Sequence, residues 1–368
     1  MWVLLIAVTM LLVACDTRRT REGTTVMTTI LFLGDTSFGE NYMPDSGGVL
    51  TAHGYDYPLT RFRDIMRSAN VVIANLETPV TDRTDSPFTG KKEYVHWSRS
   101  DRAPQVLAAH NISAVSLANN HMLDFGTGGL ADTQAHLAAS RIRSFGAGAT
   151  AQEAVQPLRL SLHADEAPSL AVFGGFEHFG AYENVYHFYA DEDRPGVLNL
   201  SDPLLTEHVE ALQKQSEDMF VIAFPHWGED YQWESGEQRR IARELIAAGA
   251  DLIIGHGAHQ MQGVEKVDGA WTVYGLGNFM FNSPGRYTKE GAPPFSLIAA
   301  LVVGKKGEKV LRLYPIHTDN LVNGYQGSFV SDEQFITVRG LLMQHAPTFI
   351  DEAGIAKDEY GWFFELLL

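Results

Sequence analysis

The chain has one cysteine in 368 residues. That excludes a disulfide framework and a thiolate-built metal site. Positive charge is also scarce, with 28 Lys and Arg against 45 Asp and Glu and a net charge of −17. Such a surface excludes nucleic acid as the main partner, because phosphate binding needs a basic face. It also excludes passive electrostatic capture of a polyanion. An acidic protein that handles an anionic substrate needs a local positive exception, and bound metal cations are the usual one. A GxSxG elbow, a P-loop, a CxxC pair and a GxGxxG fingerprint are all missing, so several common catalytic signatures are absent. There is no low-complexity tract. With 45% hydrophobic and 20% charged residues, the chain is long and apolar enough to bury a substantial core in one large domain or two ordinary ones.

The uncharged run Trp2–Ala14 is too short to span a bilayer, which takes about 20 residues. It has the length of the apolar region of a secretory signal peptide. Leu12, Val13, Ala14 and Cys15 resemble a bacterial lipobox, in which the cysteine is lipidated after cleavage. The n-region lacks the expected Lys or Arg. The polar stretch "DTRRTREGTT" after Cys15 suits a tether better than a core element. The expectation is a signal peptide over 1–15 and a tether over 16–27, with the protein lipid-anchored to a membrane of the cell envelope on its periplasmic or extracellular face.

From Thr28 the chain repeats one unit. "TTILFLGDTS", "NVVIANLE", "ISAVSLANNH", "LAVFGGFEH", "MFVIAFPHW", "ADLIIGHGAH" and "WTVYGLGNF" are short apolar runs. They lack polar alternation, as strands buried on both faces do. Between them, "DYPLTRFRDIMRSA", "SRSDRAPQVLAAHN", "GTGGLADTQAHLAASR", "DPLLTEHVEALQKQSE" and "SGEQRRIARELIAAGA" have helical period and several open with capping residues. The alternation predicts a layered α/β fold with a mainly parallel sheet. "SLIAALVVGKKGEKVLRLYPIHT" reads as an antiparallel hairpin. The final stretch reads as a helix with a tail, giving a main domain over 28–320 and a helical extension over 321–368.

Nearly every predicted strand stops at a group that is costly to bury, where open α/β sheets bind ligands. Asp35 follows Gly34, and Glu77 follows "VVIANL". Asn75 beside Glu77 either ligates, orients it, or simply satisfies a turn. Asn119, Asn120, His121 and Asp124 end the third run; an amide ligand followed by a histidine suits a metal site in which His121 is the acid and Asp124 orients it. His226 closes another strand, ahead of Trp227 and Glu229. His256 and His259 lie three apart in a Gly-rich turn, and Asn278 shapes the pocket floor. This donor set is oxygen- and nitrogen-rich and holds no thiolate, so it suits one or two divalent ions of Mn, Fe, Zn or Mg. Asn75, Asn119, Trp227, Glu229 and Asn278 are the candidate substrate-binding residues around it.

Taken in order, "GDT", "NLE", "ANNHMLDFG", "HWGEDY", "GHGAHQMQGVE" and "YGLGNFMF" resemble the CapA family, the poly-γ-glutamate capsule proteins, over roughly Thr28 to Val303. That family resembles the calcineurin-like metallophosphoesterases, which implies a four-layered α/β/β/α sandwich around a two-metal centre. The resemblance implies that Asp35 is the first metal carboxylate and Glu77 the bridging acid, with Asn120, His226 and His259 as further ligands and His121 at the leaving group. Two positions depart from the pattern. Ser37 stands where an Asp-x-His start has its histidine, and Gly257 stands where a His-Pro-His turn has its first, with His256 immediately before it. The implied role is synthesis, export or anchoring of poly-γ-glutamate or a related envelope polymer. Implied partners are an anionic polymer or phosphoester, a membrane, and the membrane components of a polyglutamate synthase. The competing readings are a periplasmic metallophosphoesterase acting on a nucleotide or phospho-sugar, and a scaffold that anchors polymer without catalysis.

Overall fold

The computed structural model describes residues 27–39, 49–162, 169–216 and 218–368. Cys15 and the expected signal peptide lie outside them, as does all but Met27 of the tether. Among the described residues, no helix is long and apolar enough to cross a membrane.

Two sheets face each other. The first runs, in spatial order, Gly354–Lys357, Trp362–Leu367, Lys309–His317, Phe295–Val303, Thr28–Ser37, Val71–Leu76, Ile112–Ser116 and Arg143–Phe145. The last four of these are parallel to one another. The second runs Val264–Val267, Ala270–Val273, Leu252–Ile254, Phe220–His226, Leu170–Phe176 and Leu158–Leu160, with the four central strands parallel. Every expected strand is present, and Thr28–Ser37 and Leu170–Phe176 are buried along almost their whole length.

Three apolar clusters define the layers. Ile30, Phe32, Ile73 and Ala114 of the first sheet meet Val172, Ile222, Phe224 and Ile254 of the second in an inter-sheet core. Phe32 and Phe224 pack there with ring centroids 5.6 Å apart; burying one such side chain contributes about 1.5–3 kcal/mol. On the outer face of the first sheet, Leu31, Leu33, Val72 and Val115 pack against Ile65, Leu107, Leu130 and Leu137 of helices Arg63–Ser68, Ala103–Ala109 and Gly126–Ala139. On the outer face of the second, Ala171, Val221 and Ile253 pack against Val209 and Leu245 of helices Pro203–Gln215 and Gly236–Ala247. The order is therefore helix, sheet, sheet, helix, the four-layered sandwich that the family resemblance implies.

The last two helices begin as their caps dictate: Asp202 accepts from Leu204 N, and Ser235 forms a capping box with Gln238. Helices Ala103–Ala109 and Gly126–Ala139 have no side-chain cap, so for them packing substitutes for the expected signal. The hairpin Phe295–Val303/Lys309–His317 is antiparallel as expected. The stretch beyond 320 holds more than the expected helical extension. After helices Asp332–His345 and Pro347–Glu352, strands Gly354–Lys357 and Trp362–Leu367 extend the first sheet, the latter pairing with Lys309–His317. The short aromatic run "WFFELL" between Gly361 and the terminus carries strand propensity. Its Phe363 and Phe364 are both buried.

Candidate metal centre

The parallel strands of both sheets end at one place, and the costly groups gather there. Two glycines allow the approach. A Cβ on Gly34 would lie 1.9 Å from the Gly277 carbonyl oxygen, so only glycine lets Asp35 N–H donate to that oxygen at 2.9 Å. Gly257 has φ of +112° and donates its N–H to Asp35 Oδ2 at 3.2 Å. A Cβ at 257 would meet the Trp227 backbone O and N at 2.9 and 3.0 Å, which explains why no histidine stands there.

Asp35 is fully buried, and two triads share it: Asp35, His226 and His256, and Asp35, Glu77 and His259. In the first, His256 Nδ1 lies 3.5 Å and His226 Nδ1 4.0 Å from Asp35 Oδ1, with the two ring nitrogens 3.1 Å apart. In the second, His259 Nδ1 is 3.4 Å from Asp35 Oδ2 and its Nε2 is 3.9 Å from Glu77 Oε1. The carboxylate common to both sets is thus Asp35, whereas the resemblance placed the bridging acid at Glu77. His256 takes part from the position before Gly257.

Asn75 is the hub of the cluster rather than a turn residue. Its Nδ2 is 3.0 Å from Asp35 Oδ1, 3.3 Å from Glu77 Oε2 and 3.3 Å from His226 Nδ1. Its Oδ1 accepts from Asn119 Nδ2 at 3.0 Å, and Asn119 Oδ1 in turn accepts the His121 N–H at 3.1 Å. Both residues tie the side chains of the cluster to one another. Asn278 Oδ1 contacts His259 Nδ1 at 2.9 Å, and Tyr287 donates to the His259 carbonyl at 3.0 Å. These contacts hold His259 at φ of +60°, a conformation that costs a non-glycine residue of order 1–3 kcal/mol.

Beside the triads, His121 Nδ1 lies 2.6 Å from Asp124 Oδ2 and its Nε2 4.0 Å from Glu77 Oε1. Helix Gly126–Ala139 begins after this pair, so a turn rather than a helix joins them. Two residues of an irregular loop, missed in the sequence, complete the network. Lys92 Nζ binds Asp124 Oδ1 at 2.5 Å and lies 3.0 Å from His121 Nδ1. His96 stacks on His121 with ring centroids 3.4 Å apart, and its backbone N–H donates to Asp124 Oδ2 at 2.6 Å. His96 Nδ1 also lies 3.3 Å from Ser37 Oγ.

Of the other candidates, Trp227 has its indole in the outer core of the second sheet, donating to the Tyr274 carbonyl at 2.7 Å. Glu229 is exposed and lines a cleft of about 470 Å³ above the cluster, beside Lys92, His121, Tyr182, His226 and Arg286. Trp227 also lines this cleft.

Burial pushes the Asp35 carboxyl up, but hydrogen bonds from His256 and His259 overcome it and hold Asp35 well below the usual carboxylate range. Burial, then the neighbouring Asp35 charge, pushes Glu77 far up. His259 is raised although burial opposes it, because Glu77 and Asp35 favour its cation. His226 and His121 are pushed well down, first by burial, then by His256 and Lys92 respectively. Two buried oxygens, Glu77 Oε1 and Asn120 Oδ1, have no hydrogen-bond partner among the described residues. Leaving such atoms unpaired is costly, and an oxygen of either kind is a ligand that a divalent cation takes. The spacing, the donor types and these orphaned oxygens fit a metal.

A family model, Bacterial capsule synthesis protein PGA_cap, matches residues 29–283. The chain belongs to this family. The PGA_cap match encloses both triads and the His121–Asp124 pair. Among related proteins, the PGA biosynthesis protein CapA of Bacillus subtilis (strain 168) is 28% identical over 262 residues, covering 71% of this chain and 65% of that protein. The capsule biosynthesis protein CapA of Bacillus anthracis is 24% identical over 267 residues, 72% of this chain and 62% of its own length. A probable polyglutamine synthesis accessory protein of Mycobacterium tuberculosis is 30% identical over 218 residues, 57% of this chain and 55% of its own. The chain thus matches less than two thirds of the length of each of these relatives.

Proposed function

We propose that this chain acts in the synthesis, export or anchoring of poly-γ-glutamate, or of a related anionic envelope polymer, through a hydrolase-type metal site. The observation that carries the site is the pair of triads sharing Asp35. The polymer rests on the PGA_cap family and on the names its Bacillus relatives bear. In the same reading, Cys15 is lipidated and anchors the protein to the envelope membrane, beside the membrane components of a polyglutamate synthase.

Asp35, His226 and His256 would hold one ion of Mn, Fe, Zn or Mg, and Asp35, Glu77 and His259, with Asn120 oxygen, a second. Such ions supply a Lewis acid and an activated water at neutral pH. The chain's own contribution is proton handling. With Nδ1–H donating to Asp124, His121 presents a bare Nε2 toward Glu77. The imidazole is neutral at rest, so it first collects a proton from the attacking water and then returns it to the leaving group. Lys92 keeps Asp124 ionised for that task.

The test is metal content per chain, beside Glu77→Ala and His259→Ala. We expect near two equivalents in the wild type and loss of one in each variant. No metal after loading with Mn or Zn would sink the hydrolase reading. Turnover of a generic phosphodiester but not of a γ-glutamyl oligomer would keep the centre and move the substrate to a nucleotide or phospho-sugar.

A further inference from the structure

We infer that Arg286 forms an oxyanion subsite at the mouth of the cleft, and that it takes a carboxylate carried next to the reacting bond. The inference rests on the polymer reading above: in a γ-linked polyglutamate the residue on the amine side of each amide bond bears a free α-carboxylate on the carbon bonded to the amide nitrogen.

The argument starts from charge. The chain carries −17, and the cleft is lined by Glu93, Glu229 and Asp230. An anionic substrate entering it needs a cation it can reach. Lys92 does not serve, since its side chain is only 7% exposed and is committed to Asp124 at 2.5 Å. Arg286 does, with its side chain 29% exposed. Among the described residues its guanidinium has one hydrogen-bonding partner, Asp230 Oδ2, which receives Nη2 at 2.6 Å. A guanidinium has five N–H groups in a planar fork, and the remainder match a carboxylate or phosphoryl edge.

The fork is also held in place. Its central carbon lies 5.2 Å from the Tyr94 ring centroid and 5.3 Å from that of Tyr231, within cation–π range. The Tyr231 hydroxyl accepts the Arg286 backbone N–H at 3.2 Å. Tyr231 packs edge-on against Tyr287, 5.1 Å between centroids, and Tyr287 grips the His259 carbonyl. The other oxygen of Asp230 lies 3.9 Å from His259 Nε2. Arg286 is therefore one carboxylate's width from the second triad and fixed to the same frame. It is placed to take the anionic neighbour of the bond rather than the bond itself.

The test measures equilibrium binding to the full chain in detergent, with metal content recorded for each variant. The probes are a short oligo-γ-glutamate, its α-amidated counterpart and inorganic phosphate. We expect Arg286→Ala to weaken the oligomer about 10- to 100-fold, the usual worth of a hydrogen-bonded charge, with metal content unchanged. Arg286→Lys, which keeps the charge and loses the fork, should fall between. The wild type should bind the amidated oligomer as poorly as Arg286→Ala binds the acid. Phosphate binding that Arg286→Ala weakens, with no oligomer binding, would keep the subsite and overturn only the polymer reading. Binding of either probe within twofold of wild type in Arg286→Ala overturns the inference, as does failure of a metal-containing wild type to bind either one.

Discussion

Replacing Lys92 with methionine isolates the buried ion pair beside the candidate catalytic histidine. Methionine fills nearly the same length and leaves Asp124 without its cation. The pair is enclosed, with side chains 7% and 0% exposed, so water cannot take the place of the lost partner. Breaking a pair of this kind costs about 3–5 kcal/mol. The cost has a pH signature. Burial already raises the Asp124 carboxyl, with Lys92 the main opposing influence, so removing Lys92 raises it further. A raised acid destabilises the fold only where the unfolded chain can ionise and the folded one cannot. The deficit of Lys92→Met should therefore be near zero below about pH 4, the ordinary aspartate range, and grow with pH toward its full size at neutrality. In acid the comparison can even invert, because the wild type then holds a buried lysine with a neutral partner. The assay is urea unfolding of both proteins from pH 4 to 8, with Lys92→Met/Asp124→Asn as a third. The double variant, having no carboxylate to strand, should be more stable than Lys92→Met at pH 7. A deficit under about 1 kcal/mol at pH 7, or one that does not change with pH, would refute the reasoning.

Three other outcomes are expected. Asn75→Ala, which removes the amide that spans Asp35, Glu77 and His226, should lower metal affinity about 10- to 100-fold with the far-UV circular dichroism unchanged; competition with a chromophoric chelator reads it. Because Glu77 and His259 are both raised, metal must displace protons. Apparent affinity should therefore climb with pH, and calorimetry in buffers of different ionisation enthalpy should show proton release; binding without release would contradict the shifts. Trp227→Phe should cost about 1–3 kcal/mol in thermal or urea unfolding, since it strands the Tyr274 carbonyl. It should leave oligomer binding unchanged, and a weakened oligomer would return Trp227 to the binding surface.

The layers were legible because their signal is local. A doubly buried strand such as "ILFLG" has no polar alternation to confuse, and the cluster residues stand at strand ends, where the chain order itself delivers Asp35, Glu77, His121, His226 and His259 to one edge. Residues from irregular segments were not legible. Lys92 and His96 come from a loop with no hydrophobic period, and a Lys or His in such a stretch is ordinarily solvated; only the way the loop folds over the Asn119–Asp124 turn buries them. Arg286 and Tyr287 stand at the start of a single-turn helix, too short to show a hydrophobic period. Asn75 could be named but not assigned, because an asparagine after a strand satisfies a turn just as readily as it orients a carboxylate. Trp227 could be placed at the cleft but its packing could not be foreseen, because sequence gives position along a strand and not the direction of the ring. The replacement of His by Gly at 257 became intelligible only once the Trp227 backbone was found pressed against that Cα.

The shared position of Asp35 has a mechanical side. Its carboxylate stands on the first sheet, while His226 and His256 stand on the second. The inter-sheet core between them is made of apolar side chains, whose attraction is non-directional and resists sliding less than separation. A cation held by these three side chains would act as a clasp across the gap and fix the register of one sheet on the other. Occupancy would then stabilise the native state by RT ln(1 + [M]/Kd), about 2.7 kcal/mol at a hundredfold excess over Kd. The two sheets, pinned at one rim, would come apart together rather than in turn.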